Sequence, residues 1–242
     1  MSANTPVIDA HAMLGRENHL ELDADELLRR MDAAGIETAV ARSMGAELVV
    51  DNRAGNDRLL AAGPRIRALA TANPWYGAAA RQELERCRDR GAVGLFLHPS
   101  RQGFMPIEPI VPPLLDLAAE WRWPVVFHTG TYVYSDILAV AEVARRYPET
   151  SFIAGFGGFT DMWFELPGVF GQVANLLLDA SLIWGEAVEQ IVAQHGAERV
   201  LFGGGEPRGR YAVALNTMER LQLSQRDRRL LMGENAKRVF HL

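Results

Sequence analysis

Eight short apolar runs separated by longer amphipathic segments limit what this chain can fold into. The runs are Val7–His11, Thr38–Arg42, Arg67–Ala72, Ala92–Leu97, Val125–His128, Ser151–Ala154, Ala174–Asp179 and Arg199–Gly203. They are nearly continuously apolar, the pattern of strands covered on both faces. Between them, apolar residues recur at helical spacing. In Asp25–Ala34, Leu27, Leu28 and Met31 share one face, and Ala78–Arg90, Val111–Glu120, Ser135–Arg146 and Gly185–His195 read the same way. Gly35, Gly91 and Gly196 follow such segments, where a helix end favours glycine. The tail Leu221–Leu242 also reads as helical. Eight strand–helix units at intervals of roughly 25 to 30 residues predict an α/β fold, the (β/α)8 TIM barrel. The 242 residues suit it as one domain spanning 1–242. A doubly wound sheet would favour a G-x-G-x-x-G turn after the first strand, and Ala10–Gly15 does not match it.

A barrel places its chemistry at the C-terminal ends of its strands. Those ends, in order, are His11, Arg42, Asn73, His98, His128, Phe156, Asp179 and Gly205. Polar groups ending buried strands are costly unless paired. Singly, each could be satisfied by its neighbours; together they predict a pocket. Asp9, His11 and Met13 alternate along the first strand, so all three are expected to face the mouth. Asp9 could then orient a histidine, as carboxylates often do. Tyr132, Phe156, Trp163 and Trp184 are among the aromatics in the loops above this face. They suit an apolar ligand pocket, or an interface in a homodimer. Phe156–Phe170 reads as a lid or a contact surface. Glu206 either reaches the mouth or begins the turn at Pro207.

Charge and cysteine use exclude several classes. Net charge is −5 and arginine is scattered, so nucleic acid is not an expected partner. The single Cys87 excludes an intrachain disulfide and fits a reducing, cytoplasmic setting; its place on a helix suggests packing. No apolar stretch approaches the roughly 18 to 20 residues of a membrane span. No basic segment followed by an apolar run marks a leader.

Several segments, in this order, resemble the amidohydrolase superfamily, and within it the amidohydrolase-2 branch of hydrolases and decarboxylases. They are Ile8-Asp9-Ala10-His11, Pro113–Glu120 leading to Pro124–Gly130, Phe152-Ile153-Ala154-Gly155, Val200-Leu201-Phe202-Gly203 and Gly233-Glu234-Asn235-Ala236. The resemblance covers nearly the whole chain and implies the same barrel. It also implies a metal site that this chain has altered. His11 matches the first histidine of a His-x-His pair, and Met13 stands at the second. His128 matches the fifth-strand histidine. Phe156 stands where a sixth-strand histidine belongs, and Gly205 where an eighth-strand aspartate belongs. A catalytic zinc site typically needs three protein ligands plus water.

The leading expectation is therefore a hydrolase, lyase or isomerase without a metal cofactor, acting on a hydrophobic or aromatic small molecule, such as a carboxylate. His11 and His128 would move protons, supported by Asp9. Arg16, Arg42, Asn73, His98, Tyr132, Phe156, Trp163, Asp179, Trp184 and Glu206 would bind substrate, and Arg208 is a further anion-binding candidate. Two alternatives stay open. One is a divalent ion such as zinc at His11 and His128, completed by His98, Asp179 or Glu206. The other is a non-catalytic barrel that binds a ligand or a partner subunit.

Overall fold

The computed structural model describes residues 6–131, 133–158 and 163–242. Its sheet has nine strands: β1 (Val7–Glu17), β2 (Leu20–Leu22), β3 (Ile36–Met44), β4 (Ile66–Ala70), β5 (Gly94–Leu97), β6 (Val125–His128), β7 (Phe152–Gly155), β8 (Leu176–Asp179) and β9 (Val200–Leu201). All eight expected strands are present. The addition is β2, which pairs antiparallel with the outer end of β1 and makes the sheet mixed. The other pairings are parallel, and neighbours follow chain order from β1 through β3 to β9. A doubly wound sheet would reverse its order at a switch point; this one does not. The α/β sheet is thus consistent with the expected barrel. The β ladder itself runs from β2 to β9. Beyond it, Ala10 N donates to Phe202 O, and Gly205 N donates to His11 O.

The five anticipated helices all form. The segment Leu221–Leu242 is helical over Gln225–Phe240, with a wide π turn at Leu230–Glu234. Unanticipated helices cover Asn52–Leu60 and Tyr211–Arg220. Asp23, Asp51 and Asp136 cap helices by accepting from backbone N–H groups two or three residues on, the usual N-cap device.

Two buried clusters form the core. Val40, Leu69, Phe96, Val126, Ile153, Leu177 and Leu201, one from each parallel strand after β1, pack together inside the sheet with Ile8 and Ala10. The opposite strand faces pack on the helices. Two positions beyond five of these seven residues, the same inward side presents Arg42, Thr71, His98, His128 and Asp179, and beyond the other two stand Gly155 and Gly203. Strand periodicity alone therefore stacks a polar layer on an apolar plug.

In β1 the period breaks. Asp9 pairs with Ala39, and Ala12 with Ala41, so three residues advance on β1 against two on β3. This bulge carries one extra residue and reverses side-chain facing beyond it. Ala10 lies in the inner cluster, yet Ala12 packs outside and His11 turns in. The expectation that Asp9, His11 and Met13 face the mouth together is thereby corrected for Asp9. Its carboxylate accepts from the N–H groups of His11 and Gly204 and from Tyr211 Oη at 2.7 Å, outside the pocket.

Candidate active site

Six of the eight strand ends converge. His11, from β1, sits at the centre of a hydrogen-bonded row. Its Nδ1 lies 2.5 Å from Asp179 Oδ2, at the end of β8. Its Nε2 accepts from Arg42 Nε, on β3, at 3.1 Å. The Phe156 ring stacks on His11 with centroids 4.3 Å apart. Asp179, not Asp9, is thus the carboxylate on the His11 ring. It is fully buried and saturated: Oδ2 also accepts from Phe156 N, and Oδ1 accepts from Ser181 N and Oγ. Burial opposes its charge, but His11 and these donors outweigh that and hold its pKa below the usual carboxylate value.

Phe156 has φ +62°, in the left-handed region that a bulky residue rarely enters. Its ring contact with His11 and its backbone bond to Asp179 fix it there. Such conformations cost about 1–3 kcal/mol and gather at functional sites.

Arg42 is 2% exposed. Its guanidinium lies over Phe96, 4.6 Å from the ring centroid, and Nη1 donates to Ser43 O. Nη2 donates to none of the described residues. Burial pushes Arg42 down to about 9, which leaves it cationic at neutral pH.

Above this row lies a cavity of about 340 Å³, lined by Glu17, Arg42, His98, Ser100, Arg101, His128, Thr131, Phe156 and Arg208. This lies within the usual range for a small-molecule site. His98 and His128 stack on one wall, and both are held neutral. Burial lowers the pKa of each well below 6.5; His128 then Arg42 add to this at His98, and Arg42 then His11 at His128. His98 Nδ1 lies 3.3 Å from Ser100 Oγ, and His128 Nε2 3.1 Å from Thr131 Oγ1. His128 Nδ1 is buried with no partner among the described residues. At the rim, Glu17 Oε1 accepts from Arg101 Nη2 at 2.5 Å and from Arg208 Nη2 at 2.9 Å. Three guanidinium groups against one carboxylate leave the cavity cationic.

The remaining candidates lie elsewhere. Arg16 is exposed, 4.0 Å from Glu21. Asn73 caps a loop, accepting from Trp75 N and donating to Val49 O. Glu206 is buried away from the cavity, accepting from Arg30 at 2.6 Å and from Tyr211 N. Trp184 is exposed beside a different groove. Trp163 stacks on Phe164 rather than lining the cavity. Tyr132 lies outside the described residues. Glu17, Ser100, Arg101 and Thr131 were missed. Ser100, Arg101 and Thr131 follow His98 and His128 by two or three residues, so extending each strand end into its loop would have found them. Glu17 carried no such signal.

The amidohydrolase family profile matches residues 9–242. The chain belongs to the amidohydrolase family. No curated protein matches it. Solved structures share its fold at low identity. A 5-carboxyvanillate decarboxylase from Novosphingobium aromaticivorans, complexed with manganese and 4-hydroxy-3-methoxy-5-nitrobenzoic acid, is 15% identical with a TM-score of 0.81, covering 98% of this chain and 96% of that one. A dihydroxybenzoic acid decarboxylase from Polaromonas, with manganese and 2-nitroresorcinol, is 18% identical with a TM-score of 0.76, covering 99% and 98%. A 4-oxalomesaconate hydratase from Rhodopseudomonas palustris is 16% identical with a TM-score of 0.72, covering 97% and 95%. Membership of the amidohydrolase family supports an enzyme.

The expectation of no metal cofactor is corrected by the manganese in these neighbours. The side chains of this amidohydrolase do not themselves assemble a donor set for such an ion. Among the described residues, no group of three or more His, Cys, Asp or Glu side chains is placed to hold one. Both His11 nitrogens are engaged, Met13 offers only a soft thioether and Phe156 no donor, and Glu206 faces Arg30. For the zinc alternative at His11 and His128, the described residues likewise assemble no third donor beside that pair.

Among the described residues, Cys87 is a free, buried thiol pushed up by burial, consistent with packing. No helix among them is long and apolar enough to cross a membrane.

Proposed function

We propose that this amidohydrolase is a hydrolase or lyase that takes a small aromatic carboxylate into the mouth of a closed eight-fold barrel. Closure is supported by the main-chain bonds from β1 to residues 202–206, which continue the sheet past β9. The observation that carries the function is the pairing, in one cavity, of a buried guanidinium with two buried neutral imidazoles. A carboxylate or developing oxyanion fits Arg42 Nη2, which can donate a charge-assisted hydrogen bond to one of its oxygens. The Phe156 ring offers an apolar face to an aromatic body.

His98 and His128 supply the proton chemistry. Held neutral, each can accept a proton from water or from a substrate hydroxyl. The imidazolium then formed lies beside Arg42, which repels it, so the proton passes readily onward to a carbon or a leaving group. That sequence serves both hydrolysis and the proton transfer that accompanies loss of a carboxylate.

The test is turnover of a panel of hydroxybenzoates, benzene dicarboxylates and lactone carboxylates, with and without added manganese, read by chromatography and released CO2. Conversion is expected for at least one member, with a loss of about 100-fold or more in His128→Ala, the scale of a lost general acid/base. Undiminished conversion in His128→Ala, or no conversion of any member, overturns the reading.

A further inference from the structure

We propose that Asp179 and His11 are positioning residues for Arg42: the carboxylate fixes the imidazole tautomer, and the imidazole fixes the guanidinium. An Arg Nε–H can only donate, so the His11 Nε2 that accepts it carries no proton. The one ring proton of neutral His11 is therefore on Nδ1, pointing at Asp179 Oδ2, 2.5 Å away. The logic is that of a histidine oriented by a carboxylate to serve a cation, with a guanidinium as the cation. The row is enclosed. His11 and Asp179 are each 1% exposed, Phe156 covers one face of the imidazole, and Phe96 meets it edge-on at 5.8 Å.

The far end of the row faces the ligand. Nε and Nη1 are held by His11 and Ser43 O, so the guanidinium plane cannot turn about its stem. Nη2 is left for the cavity, which Arg42 lines. With both ring nitrogens bonded, His11 has no site to exchange a proton with a substrate. It serves Arg42 and leaves proton transfer to His98 and His128. The value of the arrangement as an anion anchor rests on the carboxylate reading above; its geometry does not.

Nitrogen NMR on the 15N-histidine-labelled protein tests the geometry without any substrate. Six histidines give six pairs of ring signals, Nδ1 and Nε2, and the pair lost in His11→Gln is assigned to His11. It is expected to carry its proton on Nδ1, with Nε2 unprotonated, unchanged between pH 6 and 8. Arg42→Met is expected to shift Nε2, and Asp179→Asn to shift Nδ1. A proton on Nε2, or a His11 signal moved by neither substitution, overturns the proposal. Benzoate is the binding probe, read by calorimetry. It is expected to bind Asp179→Asn at least 10-fold more weakly than the unsubstituted protein, and equal affinity overturns the positioning role. If benzoate binds neither protein while the tautomer is as stated, the carboxylate reading fails and the relay stands.

Discussion

The imidazole rings of His98 and His128 stack with centroids 3.8 Å apart and 21° between their planes. At that separation two positive charges would repel strongly in a buried setting, so the pair persists as neutral rings. His98, just past β5, and His128, at the end of β6, are each the next inward residue after the apolar plug, and pairing of β5 with β6 brings the two side by side.

This pair makes stability depend on pH in a defined direction. Both histidines are lowered well below 6.5 in the folded protein, so the unfolded chain takes up protons first as the solution is acidified. Their contribution is complete above about pH 6.5 and is lost as pH falls below it, at up to ~1.4 kcal/mol per pH unit for each histidine. Denaturant unfolding between pH 7.5 and 5 is expected to show this loss, and His98→Gln/His128→Gln to reduce its slope. An unchanged slope would contradict the neutral pair.

Asp9 acts in the opposite direction. Burial raises its pKa to about 6, against the backbone bonds from Gly204 and His11 and the bond from Tyr211. The folded state therefore holds this proton more tightly than the unfolded chain. Stability from it is present below about pH 4 and declines as pH rises through about 6. Asp9→Asn keeps an acceptor oxygen without the buried charge. It is expected to be about 1 kcal/mol or more stabilising at pH 8 and near neutral in effect at pH 4, as checked by urea unfolding at both.

Ser43 Oγ is buried with no hydrogen-bond partner among the described residues. An unsatisfied buried hydroxyl costs roughly 1–3 kcal/mol. Ser43→Ala is expected to raise stability by about 1 kcal/mol, measured by thermal or denaturant unfolding. Gly55→Ala is expected to do the reverse, because an added Cβ would stand 2.7 Å from Ser43 Cβ.

Asn235 is fully buried, and its Nδ2 donates to Ala197 O and Val200 O at 2.7 and 2.8 Å. Asn235→Leu strips both carbonyls of their donor and is expected to cost about 2–4 kcal/mol, the range for two buried acceptors. Chemical denaturation checks it, and recovery in Asn235→Gln would show that the amide matters more than the fit.

Fold and site were legible to different depths. All eight strands and the inward order Arg42, His98, His128, Asp179 follow from period-two alternation, a local property of the chain. Phe156 was placed at the mouth, and its ring does line the cavity. Asp9 was misplaced because one residue of bulge in β1 reverses every side chain beyond it, and no turn residue in Ile8–Met13 marks that bulge. Asp179 as the partner of His11, and Glu17 as the partner of Arg101 and Arg208, are pairings across 168, 84 and 191 residues. Such pairings depend on how strands are brought together, not on local spacing. Arg16 was misassigned because β1 runs past the mouth to Glu17, turning that residue toward solvent.

The segment Gly233–Asn235 joins the first and last of the parallel strands. Asn235 ties down the residues leading into β9, an added Cβ at Gly233 would lie 2.1 Å from Pro6 O, and β1 bonds directly to Phe202 and Gly205. In synthesis β1 gains β2 and β3 within a few tens of residues, yet its bonding partners on the other edge, Phe202 and Gly205, come some two hundred residues later. Until they emerge, the inner layer around Ile8 and Ala10 is built strand by strand and lacks Leu201, its last strand member. At roughly 5–20 residues per second, that wait lasts on the order of ten seconds or more. For that time this edge of β1 has no main-chain partner, an open strand edge of the kind native sheets avoid.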